Sequence, residues 1–156
     1  THFGLAPPKE LQDPFKNTLI SRRANPYLLG MGQAYDLTHE VFVPHDYGGK
    51  LTTDQFDKGD REYLRRALEV TTTVWIAQKN VDLVGELLAC LRYTGNHDLQ
   101  VYRDGLSLLL ASQRPDGAFG DHEKYRKDWG DKLDLGLYLH TTSVVMDILP
   151  LAFSTK

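Results

Sequence analysis

Apolar residues recur along most of the chain at the spacing of an α-helix. Leu64, Ala67, Leu68, Thr71, Val74, Trp75 and Gln78 follow one another in steps that keep to one helical face. Leu83, Val84, Leu87, Leu88 and Leu91 repeat the pattern after a break at Asn80, a residue suited to cap the next helix. Asn25-Pro26 reads as another helix start, with Pro44 pushing the residue before it out of the α region, so a helix is expected over 26–43. Thr52 and Gln55 have the spacing of a capping box for a helix running to about Lys79. Gly95-Asn96 stops the third helix, a fourth is expected over 98–113, and a polar loop leads to a last helix over 134–153, which Pro150 should bend or break. No alternating strand pattern occurs. The expected fold is all-α: antiparallel helical hairpins, five to six helices in a partial toroid-like arrangement. Residues 1–24 read as an extended N-terminal arm with one short helix, and residues 25–156 as a single helical domain.

The polar faces of these helices are unusual. The 26–43 helix has no lysine or arginine, and neither does the stretch from Leu133 to Thr155. At 100° per residue, Gly32, Gln33, Asp36, His39, Glu40 and Val43 share one side of the first helix. Opposite the leucines of the third helix lie Asp82, Gly85, Glu86 and Ala89, with Cys90 at the margin. Gly136, His140, Ser143, Val144 and Asp147 line up on the last. Solvated faces normally carry mixed charges. These faces therefore read either as solvated or oligomer contacts, or as the lining of an inner cavity.

Composition narrows the function classes. Eighteen basic residues against 21 acidic ones leave a net charge of −3, which excludes a general electrostatic grip on nucleic acid. No stretch approaches the roughly 18 uninterrupted apolar residues of a membrane span. One cysteine, Cys90, excludes an internal disulfide framework and fits a reducing, cytoplasmic setting. The chain opens Thr1-His2-Phe3, so a processed or longer parent chain is expected. Phosphate loops, serine-hydrolase elbows and dinucleotide fingerprints are absent.

His39, Asp46, Cys90 and His140 supply the ligand vocabulary of zinc, a catalytic zinc needing three protein ligands and an open position. Beside such a metal Asp36 or Glu86 would serve as acid–base or supporting group, whereas Asp36 and His39, three residues apart on one face, can alternatively form an acid–histidine pair for metal-free acid–base work. Cys90 could serve as a nucleophile or as plain packing. Tyr35, Tyr47, Trp75 and Tyr138 are the candidate apolar walls for a small organic substrate. His2, His97 and His122 read as surface residues.

The run Leu108-Leu109-Leu110-Ala111-Ser112-Gln113-Arg114-Pro115-Asp116-Gly117-Ala118-Phe119-Gly120 resembles the repeat of α/α-toroid proteins such as terpene cyclases and protein prenyltransferases. Phe119 stands where tryptophan is commoner. The resemblance implies architecture, the glutamine and aromatic tying helix end to turn, and says little about substrate. The acidic DxDD motif of class II terpene cyclases is absent. Some toroid relatives hold one zinc through Asp, Cys and His, but no stretch here reproduces their ligand motifs. Separately, the run from Tyr35 to Phe42, then Asp46-Tyr47-Gly48, Asp82-Leu83 to Cys90, and His140-Thr141-Thr142 resemble a poorly characterised helical family from actinobacteria. That likeness implies specialised-metabolite biosynthesis and groups His39, Asp46, Cys90 and His140. A full toroid has about twelve helices, so a homodimer or a second chain or domain would complete the wall.

Three expectations follow. The first is a zinc-dependent enzyme of natural-product metabolism acting on a small organic molecule. The second is a metal-free isomerase or cyclase using Asp36 and His39. The third is a non-enzymatic helical binding or assembly module.

Overall fold

The computed structural model describes residues 14–50 and 55–153. Its α-helices are α1 (Met31–Phe42), α2 (Lys58–Ala77), α3 (Val81–Tyr93), α4 (Gln100–Ala111), α5 (Arg126–Trp129) and α6 (Leu139–Phe153). Among the described residues there is no strand, and the fold is all-α as the periodicity requires.

α3 is the axis of the molecule, with α1, α2, α4 and α6 all packed on it. Twelve of its thirteen residues are buried, which is why this helix carries no lysine: it has no solvent face to solubilise. Leu83, Leu87, Leu88 and Leu91 are fully enclosed. Two glycines bring neighbours close. A Cβ on Gly105 of α4 would fall 2.7 Å from Leu88 Cδ2, and one on Gly85 of α3 would fall 2.7 Å from Val144 Cγ1 of α6. The small polar faces of α3 and α6 therefore meet each other.

Helix ends explain where the boundaries differ from the pattern. Asn25 does cap, its side chain accepting the Tyr27 N–H, but what it caps is a 3₁₀ turn, Pro26–Leu28. The backbone is extended at Leu29 and Gly30, and α1 starts only at Met31, where Gln33 reaches back to accept the Gly30 N–H. Thr52 lies outside the described residues. The observed start of α2 is Lys58, capped by Asp57, which accepts the Asp60 N–H at 2.7 Å. Asn80 caps α3 as expected.

α2 and α3 end in the same hydrogen-bonded motif. The Asn80 N–H returns to Trp75 O and the Asn96 N–H to Leu91 O, each across a residue with positive φ. After α3 that residue is Gly95. After α2 it is Lys79 at φ 54, where a side chain costs about 1 kcal/mol relative to glycine.

The expected loop before the last helix contains a 3₁₀ turn (Glu123–Tyr125) and α5, and a π-helical turn, Asp134–Tyr138, leads into α6. The chain remains helical through Pro150 to Phe153. By length and composition Asp134–Phe153 is apolar enough to cross a membrane. It gives Thr141, Val145 and Ile148 to the interior and leaves Leu139, Met146 and Phe153 exposed. The described part of the N-terminal arm is a series of turns that buries Leu19 and Ile20, held by Glu40, whose carboxylate accepts both of their N–H groups. In the glutamine–glycine–aromatic turn, Gln113 pairs with Phe119, Asp116 accepts the Ala118 N–H, and the Phe119 ring is buried. That motif is structural.

Candidate functional site

Asp82 and Glu86 stand one turn apart on α3, so both carboxylates leave the helix on the same side. Gly85 between them lets α6 approach, and α6 delivers His140. One ligand atom from each of the three lies within 4.8 Å of the others. His140 Nε2 is 3.5 Å from Asp82 Oδ1 and 4.0 Å from Glu86 Oε1. The two acids are buried, while the imidazole is 57% exposed at the mouth of the site.

Hydroxyls orient both acids. Tyr35 donates to Asp82 Oδ2 at 2.6 Å and Thr141 donates to Asp82 Oδ1 at 2.9 Å. Thr38 Oγ1 lies 2.6 Å from Glu86 Oε2 and 2.7 Å from the Tyr35 carbonyl. A hydroxyl has one proton and a carbonyl only accepts. The single Thr38 proton is therefore divided between Glu86 Oε2 and the Tyr35 carbonyl. Burial, then the neighbouring Asp82 charge, push the Glu86 carboxyl above its ordinary range, against the opposing pull of Thr38, His39 and His140. Burial and the bond to Asp82 likewise raise the Tyr35 phenol, which stays a donor.

An outer partner completes the arrangement. His122 Nε2 is 3.0 Å from Thr141 Oγ1. Because the Thr141 proton goes to Asp82, the imidazole N–H donates to Thr141. Burial lowers the His122 pKa, favouring the neutral ring. Its backbone N–H donates to Tyr138 Oη, and its ring meets Tyr138 edge-on at 4.9 Å. A cavity of about 460 Å³ opens beside the site, with Asp82, His122, His140 and Thr141 in its wall together with Tyr35 and Trp75. Its size is that of a small-molecule pocket.

The sequence-predicted residues divide into three places. Tyr35, Glu86, Trp75 and His140 belong to this site or its cavity. Asp36 and His39 are exposed and open instead onto a separate groove of about 670 Å³ between α1 and residues 15–22. His39 packs on Phe42, and its reach into the site is limited to its electrostatic effect on Glu86. Asp46 and Tyr47 are exposed on a turn beside Tyr93, at the far end of α3. Asp82 and Tyr93 are about 16 Å apart along that helix at 1.5 Å per residue, so Asp46 cannot join His140 in one metal centre.

Cys90 is wholly buried and donates its thiol to the Thr38 carbonyl at 3.6 Å. Burial, then the Glu86 charge, raise the thiol pKa well above its ordinary value, and Cys90 packs in the core outside both the Asp82–Glu86–His140 group and the cavity wall. Tyr138 is buried in a clamp with Arg114 and Glu123 and supports His122 rather than facing a substrate.

The chain matches, over residues 2–146, the family model described as a domain of unknown function, DUF6895. It belongs to that family. No curated protein and no solved structure matches it. In this DUF6895 chain the reading from sequence missed His122 and Trp129, which sit in the segment before α6, Trp129 at the end of α5, and line the cavity. Asp82 had a signal, its one-turn spacing from Glu86, but nothing local distinguished that pair from the exposed acids.

Proposed function

We propose that this DUF6895 protein is an enzyme that binds a divalent transition metal through Asp82, Glu86 and His140 and acts on a small organic molecule in the adjoining cavity. The observation that carries the reading is the convergence of one imidazole and two buried carboxylates from α3 and α6 beside that cavity. Metal bonds of about 2.0–2.2 Å set neighbouring ligand atoms about 3.4 Å apart, so the His140–Asp82 separation of 3.5 Å needs little adjustment. One imidazole with two carboxylates suits zinc, manganese or iron and leaves positions open for water or substrate. Tyr35, Thr141 and Thr38 hold the carboxylates in place, the outer bonding that tunes a metal centre. The metal would polarise a substrate oxygen or activate water.

A second reading rests on the buried Glu86 carboxyl, its pKa raised, lying 4.0 Å from His140: metal-free acid–base chemistry, with Glu86 as acid and His140 as base. In both readings α6 is a packed helix rather than a membrane span, since it turns a Thr141–Val145–Ile148 face inward and carries His140 and Asp147. Assignment to specialised metabolism rests on the actinobacterial resemblance alone.

Elemental analysis and calorimetric titration with Zn²⁺ decide between the two readings. Stoichiometric uptake lost in Asp82→Asn and in His140→Ala, both still helical by circular dichroism, supports the metal centre. Uptake unchanged in both variants, or absent in the wild type, rejects it and leaves the acid–base reading.

A further inference from the structure

The outer face of α6 carries a pattern that the candidate site does not use. Leu135, Leu139, Thr142, Met146, Leu149 and Phe153 follow one another in steps of 4, 3, 4, 3 and 4 residues, the spacing of a seam between two helices. Thr141, Val145 and Ile148 already give the opposite side of the helix to the interior. On the seam, Leu135, Leu139, Met146 and Phe153 are each between 55% and 77% exposed, and Thr142 and Leu149 are half-buried. The Trp129 indole lies against Gly136 and, 45% exposed, continues the patch at its Leu135 end. A large apolar side chain presents about 200 Å². At these exposures the five offer about 600 Å², the upper end for the largest patch on a monomer and most of the about 800 Å² that each partner gives to a stable interface.

Charge and symmetry decide what covers the patch. Helices that lie on a membrane surface carry Lys and Arg on their polar side, and from Leu133 to Thr155 there is neither. The carboxylates over 134–153 are Asp134, paired with Arg126, and Asp147, a border that anionic lipid repels. A second copy of the chain fits on both counts. The steps of the seam read the same from either end, so an antiparallel copy presents matching positions, as a two-fold interface requires. Centred on residue 144, that pairing sets Asp147 of one copy within one residue's rise of His140 of the other, on the same flank of the seam. The acidic border of each copy then faces an imidazole rather than its own charge.

We propose that the chain forms a two-fold dimer through the outer face of α6, the second copy running antiparallel to the first. The mouth of the Asp82–Glu86–His140 group then borders the interface, with Asp147 of the second copy beside it. The dimer does not depend on a metal in that site.

Sedimentation velocity of the full chain reads the assembly directly. Wild type should sediment with twice the 17.7 kDa mass of the chain. Met146→Glu, which puts a charge on an exposed position in the middle of the seam, should sediment as a monomer with unchanged helical circular dichroism. Leu28→Glu, on a more exposed apolar residue away from the seam, should remain a dimer. Cross-linking tests the orientation without disrupting the seam. A short bismaleimide should link Ser143→Cys to its own copy across the two-fold, while the buried Cys90 does not compete. Leu135→Cys should stay unlinked, its two copies standing about 27 Å apart along the helix axis. A wild-type monomer, a dimer that Met146→Glu leaves intact, or linkage through Leu135→Cys in place of Ser143→Cys overturns the assignment. A monomer that co-sediments with phosphatidylcholine–phosphatidylglycerol vesicles, and loses them in Met146→Glu, overturns it in favour of a membrane surface.

Discussion

At the α3–α4 contact, a Cβ on Gly105 would meet three atoms of one side chain, Leu88 Cδ2, Cδ1 and Cγ, at 2.7, 3.1 and 3.2 Å. At the α3–α6 contact, a Cβ on Gly85 would meet one methyl, Val144 Cγ1, at 2.7 Å, and nothing else closer than 3.9 Å. Both glycines admit a neighbouring helix, but the surroundings differ. Leu88 is fully buried among apolar neighbours, so the first contact has no room to adjust. The second borders a cavity and encloses Asp82 and Glu86, so it retains slack and carries polar groups that cost stability. One side of α3 holds the fold together, and the other holds the candidate chemistry.

Four measurements test that division. Leu88→Ala, in the tight contact, should cost about 2–5 kcal/mol in chemical denaturation, because the enclosed site cannot collapse on the void. A loss under about 1 kcal/mol would show that the α3–α4 side is not the stabilising one. Thr141→Val keeps the side chain's shape while removing the hydroxyl between His122 and Asp82. It should weaken Zn²⁺ binding about 10–100-fold by calorimetry while leaving the thermal midpoint close to wild type.

The glycines themselves sharpen the contrast. Gly105→Ala should destabilise by about 1–2 kcal/mol, overpacking outweighing the roughly 1 kcal/mol that alanine contributes to a helix. Gly85→Ala should be within about 0.5 kcal/mol of wild type, the Val144 methyl moving aside. Equal effects in parallel urea melts would erase the difference between the two contacts.

The smallest effect concerns Glu86 and depends on pH. Its pKa is raised in the folded chain, so it favours folding in acid, and that contribution is lost as pH rises through the folded value. Glu86→Gln in the metal-free protein should therefore be more stable than wild type at neutral and alkaline pH, the gain disappearing toward pH 4. A gain independent of pH would mean that burial does not raise the carboxyl's pKa.

Much of this architecture is written in local patterns. The leucine spacing of α3, the Asn80 cap, the Gly95 stop and the Gln113–Phe119 turn depend on interactions within a few residues, and each appears where the pattern puts it. The lysine-free faces of α3 and α6 were legible too, as were Glu86, His140, Tyr35 and Trp75 as residues of interest. Their partners were not. Asp36 and His39 share a helical face much as Asp82 and Glu86 do, and nothing near them in sequence tells that one pair is exposed and the other buried.

That outcome depends on which helices α3 packs against and on how close two glycines let them come. Helix spacing and capping are properties of a few consecutive residues, so order along the chain suffices to read them. The meeting of Asp82 with Tyr35, His140 and Thr141 joins residues 47 to 59 positions apart. Such contacts follow from the packing of whole helix faces, and no local pattern encodes them.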